Sequence, residues 1–150
     1  MKGSTVSVGA LLERKGRRVF SIAPDASVFS AIEEMAEKGI GALVVLENDR
    51  LVGILSERDY TRKVILAGRS SRETLTGEIM STGLVTVEPA DSVGHCLRIM
   101  TEHRVRHLPV VADGMVVGVL SIGDLVKEVI SEQESTIDHL QSYIAGSYMS

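Results

Sequence analysis

A repeat at an offset of 65 residues is the feature that most constrains the fold of this chain. Residues 20–60 (copy one) align with residues 85–125 (copy two) without a gap. The two copies keep a Pro, a Ser, a Met, a Gly and an Asp at equivalent positions, and most other pairs exchange one apolar residue for another. Units of this size usually bury their apolar faces against a neighbouring unit. We therefore expect two similarly folded copies that share a core.

Each copy is predicted to contain the same order of elements: strand, helix, strand, strand, helix. The short runs VFSI and LVTV predict the first strands, and Ser27 and Ser92 stand as N-caps before helically spaced apolar residues. Two further apolar runs, separated by ENDR in copy one and ADG in copy two, predict a hairpin in each copy. The last helix has an apolar face made of Tyr60, Val64 and Ala67 in copy one and of Leu125, Val126, Val129 and Ile130 in copy two.

The segments outside the repeat carry fewer signals. Apolar residues before position 13 predict a short leading helix, and Ile137, Leu140 and Ile144 continue the last helix past the repeat. The polar segment between the copies holds one short amphipathic turn. The predicted division is a lead-in over residues 1–18, a first domain over 19–67, a linker over 68–83, a second domain over 84–131 and a C-terminal helical extension over 132–150.

Composition and charge argue against several classes of function. The formal net charge of −4 gives no general attraction to nucleic acid or to anionic lipid. No apolar run approaches the roughly 20 residues that cross a bilayer, and the N-terminus lacks a signal-peptide core, so we expect a cytoplasmic protein with no membrane partner. The single Cys96 lies in an apolar helical pattern, which is typical of a small buried hydrophobe.

The motif Gly-x-x-Ser-x-x-Asp closes each copy, at residues 53–59 and 118–124. The Ser and the Asp have the spacing of a helix-capping pair, although a capping box more usually carries Glu or Gln at the third position. A helix N-terminus also favours a phosphate, and a carboxylate there can accept hydrogen bonds from a ribose diol. The preceding Gly permits either close packing or the approach of a ligand. The residues alone leave both interpretations open, a cap used twice or a ligand site built twice.

On these motifs the chain resembles a pair of cystathionine-β-synthase (CBS) domains. The resemblance is carried by PDASVFSAIEEMAEKGIGALVVLENDRLVGILSERD in copy one and, after GEIM, by PADSVGHCLRIMTEHRVRHLPVVADGMVVGVLSIGDL in copy two. The chain is similar in particular to small bacterial proteins made of a CBS pair and to plant organellar ones. The resemblance implies an α/β (α+β) fold in which two β-α-β-β-α repeats pack about a pseudo-two-fold axis and leave two clefts.

The resemblance also implies the ligands and the residues that bind them. CBS pairs bind adenosine-containing ligands: AMP, ADP, ATP, NAD(H) or S-adenosylmethionine. The Asp of each motif is then expected to bind the ribose hydroxyls, the Ser to lie near the phosphate, and the residues entering the strand before the hairpin to line the adenine pocket. The implied residues are Ile40, Gly41, Ala42, Ser56 and Asp59 in copy one and Arg106, His107, Leu108, Pro109, Ser121 and Asp124 in copy two. The comparison of the two motifs adds Arg58, Ile122 and Gly123, which lie between the Ser and the Asp, to the predicted ligand-binding residues.

The two sites are expected to be unequal because the copies differ between the Ser and the Asp. Arg58 in copy one can pair with a phosphate, whereas Gly123 in copy two removes side-chain bulk. Arg62 and Lys127 follow one turn later, and each is either a further phosphate contact or solvated helix surface.

The predicted function is a regulatory module that binds an adenine nucleotide between two CBS domains, forms a homodimer and acts on an unidentified protein partner. The alternative is a constitutive dimeric interaction module with degenerate clefts. A nucleotide-processing enzyme is least favoured, because no nucleophile has a nearby base in the inferred order of elements. His103 and His107 have the i, i+4 spacing of a zinc site, but a predicted helix end separates them, so no metal is expected.

Overall fold

The computed structural model describes the backbone of residues 4–149 and the side chains of residues 4–142. Copy one and the segment before it contain α1 (Val8–Lys15), β1 (Ser21–Ile22), α2 (Val28–Lys38), β2 (Ala42–Glu47), β3 (Arg50–Ser56), α3 (Glu57–Tyr60) and a π-helical turn (Thr61–Ile65). The linker and copy two contain α4 (Thr76–Ile79), α5 (Val93–His103), β4 (His107–Ala112), β5 (Met115–Ser121) and α6 (Ile122–Met149).

Each copy forms its own small sheet. In copy one β1 pairs parallel with β2, and β2 pairs antiparallel with β3; in copy two β4 pairs antiparallel with β5. The hairpins have the same register, since Ala42 lies opposite Ser56 as His107 lies opposite Ser121, and the register shifts at the same place in both. The predicted duplication therefore extends to the details of strand pairing.

Two-residue turns close both hairpins, as the turn sequences predicted. Asn48 and Asp49 have φ values of 52° and 62°, and Asp113 and Gly114 have φ values of 53° and 77°. Positive φ at both central residues is the requirement of the turn that matches the twist of a two-residue hairpin. Asn, Asp and Gly are the residues that tolerate this conformation best.

The predicted first strand of copy two, LVTV at residues 84–87, is wrong. Only Val87 pairs, through a single parallel bridge to Val110. Pro109 of copy two is equivalent to Val44 of copy one, and Val44 pairs with β1. Because proline has no N–H to donate, the parallel ladder cannot continue past this point.

The predicted apolar face of the last helix of copy one is only partly correct. Val64 is buried, but Tyr60 is half-buried and Ala67 is exposed. After Tyr60 the helix widens into the π-helical turn, in which Leu66 N donates to Thr61 O at 2.9 Å. Each π turn adds a residue, and this shift moves Ala67 away from the core.

In copy two the last helix turns only part of its predicted face inward. Leu125 is buried and Val129 is half-buried, but Val126 and Ile130 are 45% and 52% exposed. The predicted extension is confirmed, because α6 runs for 28 residues to Met149. The side chain of Ile144 lies outside the described residues. None of the helices that the structure describes is both long enough and apolar enough to span a membrane.

Each copy has a separate core, which corrects the expectation of a shared one. Val8, Leu11 and Leu12 of α1 belong to the core of copy two, although α1 precedes copy one. Ile79 of α4, which precedes copy two, belongs to the core of copy one. Each copy is thus completed by the segment that leads into the other, and the two halves interlock. We call residues 6–15 and 74–83 the first and second lead-in segments.

Backbone hydrogen bonds show that the lead-in segments are themselves equivalent. Val8 N donates to Asp91 O at 2.7 Å, and Thr76 N donates to Ala26 O at 2.8 Å. Gly9 and Gly77 make the next bond in the same way, to the carbonyl oxygens of the two equivalent prolines. The acceptors are 65 residues apart but the donors are 68 apart, so a gap-free alignment does not detect this part of the repeat.

The glycines of the two motifs make room for the lead-in segments. A Cβ at Gly53 would lie 2.5 Å from Met80 Sδ, and a Cβ at Gly118 would lie 2.7 Å from Leu12 Cδ2. Of the two roles left open by the sequence, the structure shows close packing. Cys96 is buried as predicted, and burial raises its pKa to about 11, so that the thiol stays protonated.

Candidate functional site

The Ser and the Asp of each motif cap the helix that follows. Asp59 N donates to Ser56 Oγ at 3.1 Å, and Ser56 N donates to Asp59 Oδ2 at 3.0 Å. In copy two Asp124 N donates to Ser121 Oγ at 3.1 Å, and Ser121 N donates to Asp124 Oδ2 at 2.8 Å. The cap is therefore real in both copies, and the inference that Asp argues against a capping box is wrong.

The start of each capped helix is tied to the strand before the hairpin. Glu57 N donates to Gly41 O at 3.0 Å, and Ile122 N donates to Arg106 O at 2.8 Å. These two bonds are equivalent under the repeat. They bring the residues that the resemblance assigns to adenine next to the motif that it assigns to ribose and phosphate.

Asp59 is surrounded by donors. Its side chain and backbone are only 8% exposed, and Oδ2 accepts from both the backbone N and the hydroxyl of Ser56. Oδ1 accepts from Ser81 Oγ at 3.0 Å and lies 3.1 Å from Lys63 Nζ. These four contacts use the acceptor capacity of the carboxylate. A ligand hydroxyl can bind Asp59 only by replacing Ser81 or Lys63.

A cavity of about 970 Å³ lies at the copy-one motif. It is lined by the cap (residues 56–59), the turn after it (residues 61–63), the end of the linker with the first two residues of copy two's domain (residues 81–85) and the α5–β4 connection (residues 103–107). Both copies and the linker thus contribute to one site. Ser81 and Lys63, which hold Asp59 Oδ1, are among the lining residues.

The cavity gathers half of the predicted site residues. Those that line it are Gly41, Ser56, Arg58, Asp59, Arg62, Arg106, His107 and Pro109. Those that do not line it are Ile40, Ala42, Leu108, Ser121, Ile122, Gly123, Asp124 and Lys127. Ala42, which is equivalent to His107, and Leu108, the next residue along β4, are both buried in the protein. The sequence analysis did not identify Ser81, which reaches the site through its bridge to Ile54.

The lining of the cavity is basic although the chain is acidic. Five cationic side chains face two carboxylates, those of Glu57 and Asp59. Lys63 pairs with Asp59, but the four arginines make no ion pair with any carboxylate that the structure describes. These arginines are Arg58, Arg62, Arg104 and Arg106. A cleft lined by one sign of charge concentrates ligands of the opposite sign.

The copy-two motif has a different electrostatic partner. Lys15 Nζ lies 2.6 Å from Asp124 Oδ2, and it also donates to Val119 O. Burial acts to raise the pKa of Asp124, but the charge and hydrogen bond of Lys15 and the hydrogen bonds from Ser121 outweigh it and hold the pKa below its usual value. Asp124 is therefore ionised and paired within the chain.

His107 lies between the two motifs. A Cβ at Gly41 would be 3.7 Å from His107 Nε2, and the charged groups of Asp124, Lys15, Glu57 and Arg106 surround the ring. Burial lowers the pKa of His107 from its ordinary value of 6.5, an effect that the two carboxylates oppose. The ring is consequently neutral at pH 7.

We expect the free energy of unfolding to fall as the pH drops below the ordinary histidine value of 6.5. The unfolded chain takes up a proton at His107 there that the folded chain does not, so the unfolded state gains stability. Urea denaturation at pH 7.5 and at pH 5.5 measures this loss as the difference between the two free energies of unfolding. His107→Ala, which installs the residue found at the equivalent position 42, should make the difference smaller. His103→Ala removes an exposed histidine from the same cavity and should leave the loss unchanged. An equal loss in all three proteins would contradict the prediction.

His103 and His107 do not form a metal site with their neighbours. His103 ends α5 and His107 begins β4. Among the residues that the structure describes, no group of three His, Cys, Asp or Glu side chains is placed to hold a metal ion.

Comparison with known proteins agrees with the fold and the repeat. The family model of the CBS domain matches residues 14–65 and 77–131, one match for each copy. The chain belongs to the CBS-domain family. The predicted α/β fold of two CBS repeats is thereby confirmed, and solved CBS-pair structures superpose on it with TM-scores near 0.8.

Individual CBS proteins are similar over most of this chain. The mitochondrial CBS domain-containing protein CBSX3 of Arabidopsis thaliana is 42% identical over 129 residues, which are 83% of this chain and 63% of that protein. The chain therefore spans less than two thirds of this relative. A solved structure of a candidate signal-transduction protein with CBS domains from Burkholderia ambifaria is 47% identical, with a TM-score of 0.82, over 85% of this chain and 96% of its own.

A more distant CBS structure contains metal. Hypoxic Response Protein I, solved with two coordinated zinc ions, is 27% identical with a TM-score of 0.71 over 81% of this chain and 98% of its own. The zinc belongs to that protein, since the described residues of this chain offer no comparable cluster.

Proposed function

We propose that this CBS pair is a regulatory module of the cytoplasm that binds an adenine nucleotide in the cavity at the copy-one motif. The main support is the set of four arginines that line this cavity beside Asp59 and form no ion pair with the carboxylates in the described part of the chain. Adenosine-containing ligands are typical of CBS domains, the family to which the chain belongs. A ligand with a polar sugar and a negatively charged phosphate matches this lining.

The lining divides into regions with different chemistry. Arginines make strong, often bidentate hydrogen bonds to phosphate, and Arg58, Arg62, Arg104 and Arg106 line the cavity together. Such a number of cations favours a nucleotide with two or more phosphates. A ribose hydroxyl that replaces Lys63 at Asp59 frees a further ammonium for the phosphates. The base is left with the less charged part of the lining, which includes Gly41 and Pro109.

The position of the cavity suggests how binding can be read by a partner. Its walls come from copy one, the linker and copy two, so a bound nucleotide contacts both halves of the chain. A ligand that binds one arrangement of the halves more tightly shifts the population toward it. A change at the outer surface then reports occupancy to another protein. We propose no catalytic step.

A homodimer is part of this proposal. The last helices of the two copies carry half-exposed apolar residues at equivalent positions, Ile65 at 54% and Ile130 at 52%. Apolar groups exposed together on a small domain commonly mark an interface. The same observation supports the second candidate, a constitutive interaction module that binds no nucleotide.

Nucleotide-dependent stabilisation distinguishes the two candidates. We expect at least one of AMP, ADP, ATP, NAD⁺, NADH and S-adenosylmethionine to raise the melting temperature, because a ligand at 100 times its dissociation constant adds about 2.7 kcal/mol of stability. GTP controls for recognition of the base, and inorganic triphosphate controls for charge alone. An unchanged melting temperature with all six ligands at millimolar concentration would favour the constitutive module and reject the proposal.

A further inference from the structure

The first lead-in segment places a lysine on the copy-two motif, and the second lead-in segment supplies no such side chain to copy one. Lys15, the last residue of α1, places Nζ 2.6 Å from Asp124 Oδ2 and 2.5 Å from Val119 O. The local frame is otherwise the same as in copy one, since Ser121 N donates to the same carboxylate. An ammonium from a distant part of the chain thus lies on the carboxylate that corresponds to Asp59.

This difference follows from the lengths of the two lead-in helices. α1 continues for eight residues to Lys15, whereas α4 ends after four residues at Ile79. Counted from the equivalent helix starts, the residue that matches Lys15 is Gly83, which has no side chain and lines the cavity. The extra helical turn delivers a cation to copy two, and its absence leaves copy one open.

The lead-in segments therefore present different groups to the two carboxylates. Asp59 receives the neutral hydroxyl of Ser81, which a ribose hydroxyl can replace with little loss. Asp124 receives the ammonium of Lys15, in which donor and acceptor carry opposite charges, so that their Coulomb attraction adds to the hydrogen bond. Lys63 also contacts Asp59 and donates to Ile79 O at 2.9 Å. It lines the cavity, however, and can turn toward a bound phosphate there.

The first lead-in segment, together with Ser4 just before it, is held along three successive turns of α6. The contacts are Lys15–Asp124 at 2.6 Å, Arg14–Glu128 at 2.7 Å and Ser4–Glu132 at 2.6 Å. Glu128 is only 7% exposed, so its pairing with Arg14 strongly restricts where α1 can lie. Leu12, between these contacts, is packed against Gly118. Lys15, although its side chain is 36% exposed, thus has a fixed helix behind it and two acceptors at its Nζ.

We infer that Lys15 determines which of the two CBS sites binds a nucleotide, because it closes the copy-two site from within the chain. The chain then binds one nucleotide, at copy one, and the copy-two site keeps an internal cation in place of a ligand. This inference rests on the proposed function for the identity of the ligand. The inference predicts one bound nucleotide per chain, whereas the proposed function does not specify how many nucleotides bind.

Titration calorimetry with ATP tests the inference. We expect one site per chain in the unchanged protein and two in Lys15→Met, which keeps the aliphatic stem but removes the charge. Lys15→Arg keeps a cation and should still bind one ATP. Lys127→Met is the matched control, because Lys127 is an exposed lysine near the same motif, and it should also bind one.

The outcomes separate the two proposals. Two sites in the unchanged protein, or one site in both the unchanged protein and Lys15→Met, would overturn the role of Lys15 and leave the proposed function standing. No site in the unchanged protein but one in Lys15→Met would support the role of Lys15 and contradict the binding at copy one. No binding in any variant would reject both. Circular dichroism of each variant tests whether the substitution has left the fold intact.

Discussion

Leu12→Ala will lower the free energy of unfolding by about 3 kcal/mol, because truncating a buried leucine removes its burial energy and leaves a cavity. Leu12 is 1% exposed and packs against Gly118 in the core of copy two. Leu12 precedes copy one in the sequence, yet we expect copy two to be the half that loses stability. Urea denaturation measures the size of the loss, and hydrogen exchange locates it.

The location is the more informative part of this experiment. We expect the amides of α5, β4 and β5 to lose more protection than those of α2, β2 and β3. Leu140→Ala is the matched control, since Leu140 is 58% exposed, and its change should stay within about 0.5 kcal/mol. Loss of protection confined to copy one would show that the lead-in segments are not exchanged between the halves.

Asp59→Asn is expected to weaken ATP binding by about 10- to 100-fold. Hydrogen bonds to a charged group contribute roughly 1.5–3 kcal/mol, and each 1.4 kcal/mol is about a tenfold change in affinity. The asparagine oxygen can still accept from Ser56 N, which holds the cap in this structure. Titration calorimetry measures the affinity, and the melting temperature without ligand shows what the substitution costs the fold.

Asp124→Asn provides the matched control for this substitution. Asp124 has the same capping contacts as Asp59, but Lys15 already occupies its carboxylate. We therefore expect the affinity for ATP to change by less than about twofold, well within one 1.4 kcal/mol step. Equal losses in the two variants would show that the two motifs bind alike. A loss in Asp124→Asn alone would place the nucleotide in copy two.

Much of each copy could be predicted because its signals are local. The spacing of apolar residues indicated the first helix of each copy, and the turn residues indicated hairpins whose central φ values are positive as required. The strand predicted at LVTV failed for a reason that is also visible in sequence, namely the proline at position 109 where the parallel partner needs an N–H. A comparison of partner positions between the copies would have found it.

The candidate site was predictable only in part. The motif residues Ser56, Arg58 and Asp59 line the cavity, and the alignment of the copies identified them. Ser81 was not identified, because its contact with Asp59 spans 22 residues and depends on how the linker crosses β3. No pattern of spacing within one segment contains such a contact.

The duplication, most of the order of elements and the family could be inferred from the sequence alone, because they depend on residues that are close together or repeated in register. The structure was needed to show that each copy is completed by the segment leading into the other, and that Lys15 reaches Asp124 across 109 residues. Both features depend on where two distant segments meet. The identical motifs at Asp59 and Asp124 therefore acquire different partners, a serine hydroxyl and a lysine in one copy and a lysine from α1 in the other.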